Sequence, residues 1–183
     1  MTKREAIKSF VDYMKNHNIA NVKDNDDGCI RYTIKYRADN APDGYVESCI
    51  WFYEGDNAEV RVYYNATGAE ICKHSDHRER LLQLLNYINA RVFLGCGDAY
   101  GLYEPHMLYT PRMYLTVDDC YDLTITTIVN YDFWEVAPVE TLDYMTCYCP
   151  ELLDKLSYPV FGVLKGENTV EGAIEYIENN ILR

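Results

Sequence analysis

From Ile30 onward the chain alternates, with Ile30, Tyr32, Ile34 and Tyr36 interleaved with Arg31, Thr33, Lys35 and Arg37. A period of two gives a strand one apolar and one polar face and does not suit a helix. A second alternating run sets Val46, Ser48, Ile50 and Phe52 against Tyr45, Glu47, Cys49, Trp51 and Tyr53, and the turn Glu54-Gly55-Asp56-Asn57 leads into Val60, Val62 and Tyr64. These two strands form a hairpin. Strands with one apolar face need that face covered, so the pattern calls for an antiparallel sheet with helices packed against one side.

The periods on either side supply the helices. Thr2 with Glu5 has the form of a capping box, and Ala6, Ile7, Phe10, Val11 and Met14 follow at helical spacing, which places a first helix at 3–17. The polar stretch Lys23–Gly28 reads as a loop before the first strand. From Ser75 the period changes to Leu81, Leu84, Leu85, Ile88 and Val92, a second helix over 76–93. Gly95, Gly97, Gly101 and Pro105 break regularity, and two β-like runs, 108–117 and 123–131, are joined by the turn Asp118–Asp122 as a second hairpin. Pro138 opens a further helix that Pro150 kinks or restarts, and Asn168 with Glu171 caps a last one. The expected fold is therefore α+β, one twisted antiparallel sheet of about five strands in the order α-βββ-α-ββ-αα. It forms a single domain over 1–183, with an insert at 95–106 and a helical extension at 150–183.

Composition narrows the function classes. A chain of 183 residues, 48% hydrophobic, can bury one core without metal or disulfide support. Its 17 Lys and Arg against 29 Asp and Glu leave a net charge of −12, which repels a phosphate backbone or an anionic membrane, so neither is an expected partner. Met1–Glu5 runs into an amphipathic pattern, and no window approaches the roughly 18 uninterrupted apolar residues of a spanning helix. The seven cysteines are an odd, scattered set that fits reduced thiols in the cytoplasm, and the Asn65-Ala66-Thr67 sequon is then incidental.

The element order, and the phrase Leu81–Asn89 with asparagines at 86 and 89, resemble the bacterial YbjN-like domains over about residues 1–157. These are similar in fold to type III secretion chaperones. The resemblance implies helices against one sheet face, no catalytic residues, and a role in binding proteins or in regulation. The chain departs from that pattern in the 95–106 insert and after Pro150.

Cys72, His74, Asp76 and His77 are the densest set of potential metal ligands, but zinc sites pair a Cys knuckle with a distant His pair, and none is evident, so no metal or cofactor is expected. Cys147 and Cys149, two apart on a helix, point about 200° from one another, which makes Cys149 a core residue rather than half of a redox pair. The acidic run Asp24–Gly28 fails as a calcium loop, because Lys23 and Ile34 would fall at its first and last ligand positions. Gly95–Gly101 follows a helix and lacks the lysine of a phosphate loop. No nucleophile elbow or zinc-protease motif is present, so the chain is not expected to be an enzyme.

What remains is the sheet face turned away from the helices. With Ile30, Ile34, Ile50, Phe52, Val60 and Val62 in the core, the other face presents Tyr45, Trp51, Tyr53 and Tyr63 beside Arg31, Lys35 and Arg37. Aromatic rings with adjacent arginine are typical of protein contacts. Two readings stand side by side: a surface that holds a partner protein or a second copy in a homodimer, and a second layer of core under the last helix or the 95–106 insert. The alternative from another class is a small-molecule or metal site near that insert, with His74, His77 and His106. A third is an acidic scaffold for a basic partner. The run Tyr131–Glu135 is either a packed corner or an anchor.

Overall fold

The capping box at Thr2 forms as its residues demand. Glu5 Oε2 accepts from the Thr2 main-chain N–H and hydroxyl at 2.8 Å, which starts α1 (Lys3–Asn16), and the helix buries Ala6, Phe10 and Met14. In the computed structural model, residues 1–26, 28–92, 109–116, 118 and 120–182 are described. Phe10 sits edge-on to Phe52 at 5.8 Å and tilted on Tyr32 at 5.1 Å, pinning α1 to the sheet.

The sheet has six strands, all antiparallel: β1 (Val22–Asp26), β2 (Cys29–Arg37), β3 (Tyr45–Phe52), β4 (Asn57–Tyr64), β5 (Arg112–Leu115) and β6 (Leu123–Asn130), in the spatial order β1-β2-β3-β4-β6-β5. Both expected hairpins are present, β3 with β4 and β5 with β6. The sixth strand corrects the reading of 23–28 as a loop. Residues 22–26 carry no apolar alternation, yet they pair with β2 from Val22↔Thr33 to Asp26↔Cys29, and Arg31 clasps Asp24 with bonds of 2.9 and 2.6 Å. An edge strand held by its ladder and an ion pair leaves no hydrophobic signature. Within the described part of the 108–117 run, residues 109–116, the strand is Arg112–Leu115, and 108 and 117 lie outside the described residues.

Helices differ from expectation where packing overrides pattern. A helix not seen in the sequence, α2 (Ala66–His74), follows β4. Asn65 Oδ1 accepts from the Ala66 N–H, and only Gly68 and Cys72 are buried, too few for a visible stripe. The helix expected at 76–93 is α3 (Arg78–Tyr87) continued by a π-turn at Ile88–Val92. Tyr131–Glu135 is a packed corner: Asn130 caps α4 (Tyr131–Val136), which buries Tyr131 and Trp134. Then come α5 (Pro138–Asp143), a π-turn at Tyr144–Tyr148, and α6 (Cys149–Leu164); the junction residues Asp143, Tyr144, Tyr148 and Cys149 are all helical, so the run is continuous and Pro150 sits just after the π-turn without restarting the helix. The cap of α7 (Val170–Asn180) is Thr169, which accepts from the Gly172 N–H at 3.1 Å, one residue past the expected Asn168.

All the described helices lie on one face of the sheet. Ser48 donates to the Met145 carbonyl at 2.9 Å, Tyr64 to the Leu153 carbonyl at 2.7 Å, and the Thr127 and Tyr144 hydroxyls meet at 2.5 Å. Each of these sheet residues belongs to the alternation that carries Ile50, Val60, Val62 and Ile125, all fully buried. Beyond α6, α7 packs on α6 and α3 of its own chain rather than on the sheet. Among the described residues no helix is long and apolar enough to cross a membrane.

Candidate functional site: the outer sheet face

Strand register sorts the outer face into rows. One row runs Asp24, Arg31, Trp51, Glu59, Ile128; the next Thr33, Cys49, Arg61, Thr126, Arg112; the third Lys35, Glu47, Tyr63, Thr124, Tyr114. Tyr45, Trp51, Tyr53 and Tyr63 all lie on this face, as the alternation requires. None of the described helices covers it, so the last helix is not its lid. The 95–106 insert and His106 lie outside the described residues.

Trp51 is not an exposed ring. It retains 8% of its accessible surface, flanked by the Arg31 guanidinium at 5.6 Å from its centroid and that of Arg61 at 4.9 Å. A guanidinium over an indole face gains both cation–π attraction and apolar contact. Arg61 is then steered by Glu59, whose carboxylate accepts from Arg61 Nε at 2.7 Å and Nη2 at 3.0 Å, from Thr126 Oγ1 at 2.9 Å, and from the Tyr53 hydroxyl. Burial pushes the Glu59 carboxyl up, but the bonds from Arg61, Tyr53 and Thr126 outweigh it and hold its pKa below the ordinary value. Tyr53 moves the other way, to about 12, through burial and its bond to that carboxylate.

A second cluster sits beside the first. Lys35 Nζ lies 4.5 Å from the Tyr45 ring centroid and 3.8 Å from Glu47 Oε1, while Tyr63 donates to Glu47 Oε2 at 3.1 Å. Asn65 donates to the Tyr45 hydroxyl and to Glu47. The Cys49 thiol is seated between Thr33 Oγ1 at 3.3 Å and the Tyr63 hydroxyl at 3.4 Å, and burial raises both the thiol and the Tyr63 phenol above their ordinary values. Both therefore stay protonated at neutral pH and act as hydrogen-bonding groups rather than nucleophiles. The face as a whole is a prearranged lattice of rings, cations and carboxylates.

The other sequence candidates are dispersed. Cys72 is buried in the core, His74 is exposed and bonded to Glu70 at 3.0 Å, and His77 precedes α3 with its main-chain N–H on Ser75 Oγ at 3.0 Å. No group of three or more His, Cys, Asp or Glu among the described residues stands close enough to hold a metal ion. Cys147 is exposed and Cys149 buried, on opposite sides of their helix. Sequence reasoning missed Glu59 and Arg61. Both sit between the core residues Ala58, Val60 and Val62, and folding the hairpin about residues 54–57 would have set them against Trp51 and Cys49.

Compared with protein-family models, curated proteins and solved structures, the chain finds no match.

Proposed function

We propose that the chain is a non-enzymatic, cytoplasmic protein-binding domain, chaperone-like or regulatory in the manner of the YbjN-like domains it resembles, that holds a partner protein or a second copy on its outer sheet face. The observation that carries this reading is the clamp of Trp51 between Arg31 and Arg61, with Glu59 steering Arg61. Rigid aromatic and arginine groups already paired with carboxylates lose little side-chain entropy on contact and present polar groups that a partner can share. Tyr45, Tyr53 and Tyr63 keep part of their surface around the buried indole, the arrangement of a contact centre with a polar rim.

A photo-crosslinking amino acid placed at Tyr45, with Leu82 on the far side of the protein as the control position, tests the reading in cells. Protein adducts concentrated at position 45 support it, and adducts no more abundant there than at 82 overturn it. Light scattering on the purified protein then separates a second copy, which gives a mass of two chains, from a different partner.

A further inference from the structure

Val136, Ala137, Pro138 and Val139 make four consecutive apolar residues at the corner between α4 and α5. Val136 is 82% exposed, Val139 58%, and Pro138 lies at the surface between them. Four apolar residues in a row at the surface gain nothing for an isolated domain, where a corner between short helices is ordinarily polar, so such runs mark contacts. The rim is mostly acidic. From 131 to 154 the chain has six carboxylates and no Lys or Arg. Asp143 accepts from Tyr13, Glu151 is paired with Lys155, and Asp154 holds Asn40. Around the valines that leaves Asp132 and Glu135, which share the Met1 amine, and the exposed Glu140.

We propose that this corner docks a basic amphipathic segment of a partner protein, its apolar residues over Val136 and Val139 and its Lys or Arg side chains against Asp132, Glu135 and Glu140. The charge pattern selects the occupant. A second copy would set one acidic rim against another across a two-fold axis, with the Met1 amine already held by Asp132 and Glu135 and a charge of −12 on each chain. An anionic membrane is repelled for the same reason. The site is separate from the outer sheet face and stands or falls independently of it.

The test uses two labelled peptides of equal positive charge, an amphipathic helix of leucine and lysine and its counterpart with serine in place of leucine, titrated with the full chain by fluorescence anisotropy. The leucine peptide is expected to bind at least about tenfold tighter than the serine peptide, because only it covers the valines. V136S/V139S should bring it down to the serine-peptide level, Glu140→Lys should weaken it and flatten its salt dependence, and Tyr45→Ser should leave it unchanged. Thermal midpoints close to wild type confirm that the exposed substitutions leave the fold intact. Equal affinity for the two peptides, or a V136S/V139S protein that binds the leucine peptide as wild type does, overturns the proposal.

Discussion

Asn89 closes both main-chain polar groups of Met113, donating to its carbonyl at 2.9 Å and accepting from its N–H at 2.8 Å. In an antiparallel strand the N–H and C=O of one residue point to the same side. Since these two are taken by Asn89, they face away from β6, at the free edge of the sheet. The side chain thus stands in for a missing strand, and β5 offers no template for pairing at that residue.

Asn89→Ala should therefore cost about 1–3 kcal/mol, the range for stranding partly buried main-chain groups. Urea unfolding measures the loss. Light scattering should show more association in the variant than in wild type at equal concentration, because an edge has been reopened.

Gly166 closes the C-terminus of α6 with φ of +70°, and a Cβ there would stand 2.5 Å from His77 Nε2. Gly166→Ala should destabilise by about 1–2 kcal/mol through the left-handed penalty, with a smaller addition from the clash because the half-buried His77 ring can swing aside. A double-mutant cycle separates the two. In a His77→Ala background only the backbone part, about 1–2 kcal/mol, should remain.

Burial pushes the Cys72 and Cys149 thiols up to about 12 from the ordinary thiol value of 9.0. A raised folded-state pKa contributes stability that is complete below the unfolded pKa and is lost as pH rises through the folded one. Stability should thus fall as pH rises from about 9 towards 12, read from urea midpoints across that range. At mildly alkaline pH, iodoacetamide should label the exposed Cys120 and Cys147 well before Cys72 and Cys149, as peptide mass mapping would show. Comparable rates would mean that the helix layer opens readily.

On the acid side the sign reverses. The depressed pKa of Glu59 contributes stability above the ordinary carboxylate range that is lost as pH falls through its folded value. Arg61→Ala removes a main cause of that depression and leaves burial to act. It should cost about 1–3 kcal/mol, move the acid unfolding midpoint to higher pH and change Trp51 emission. Lys35→Ala, at a side chain 66% exposed, should stay within about 0.5 kcal/mol.

Much of this protein was determined by local sequence. Alternation at 30–36 and 45–53, the turn at 54–57 and the Thr2–Glu5 box each act within a few residues, so β2, β3, β4 and α1 were legible, together with the outward side of Tyr45, Trp51, Tyr53 and Tyr63. Period and capping are short-range properties, fixed by the geometry of one strand or one turn. Tertiary structure decided the rest. It made a strand of 22–26, where pairing with β2 and the Asp24–Arg31 clasp supply what burial does not. It ended the last strand at Asn130 and made a helix of 131–136, where the sequence left a packed corner or an anchor open, once Tyr131 and Trp134 had a core to enter. It also buried Trp51 on the face that the sequence left open between a contact surface and a second core layer, because Arg31, from another strand, and Arg61, one register step away across the hairpin, converge on one ring. Those contacts join residues 10 to 20 apart in sequence. Their energy exists only once the strands are in register, and no pattern within a single element carries it.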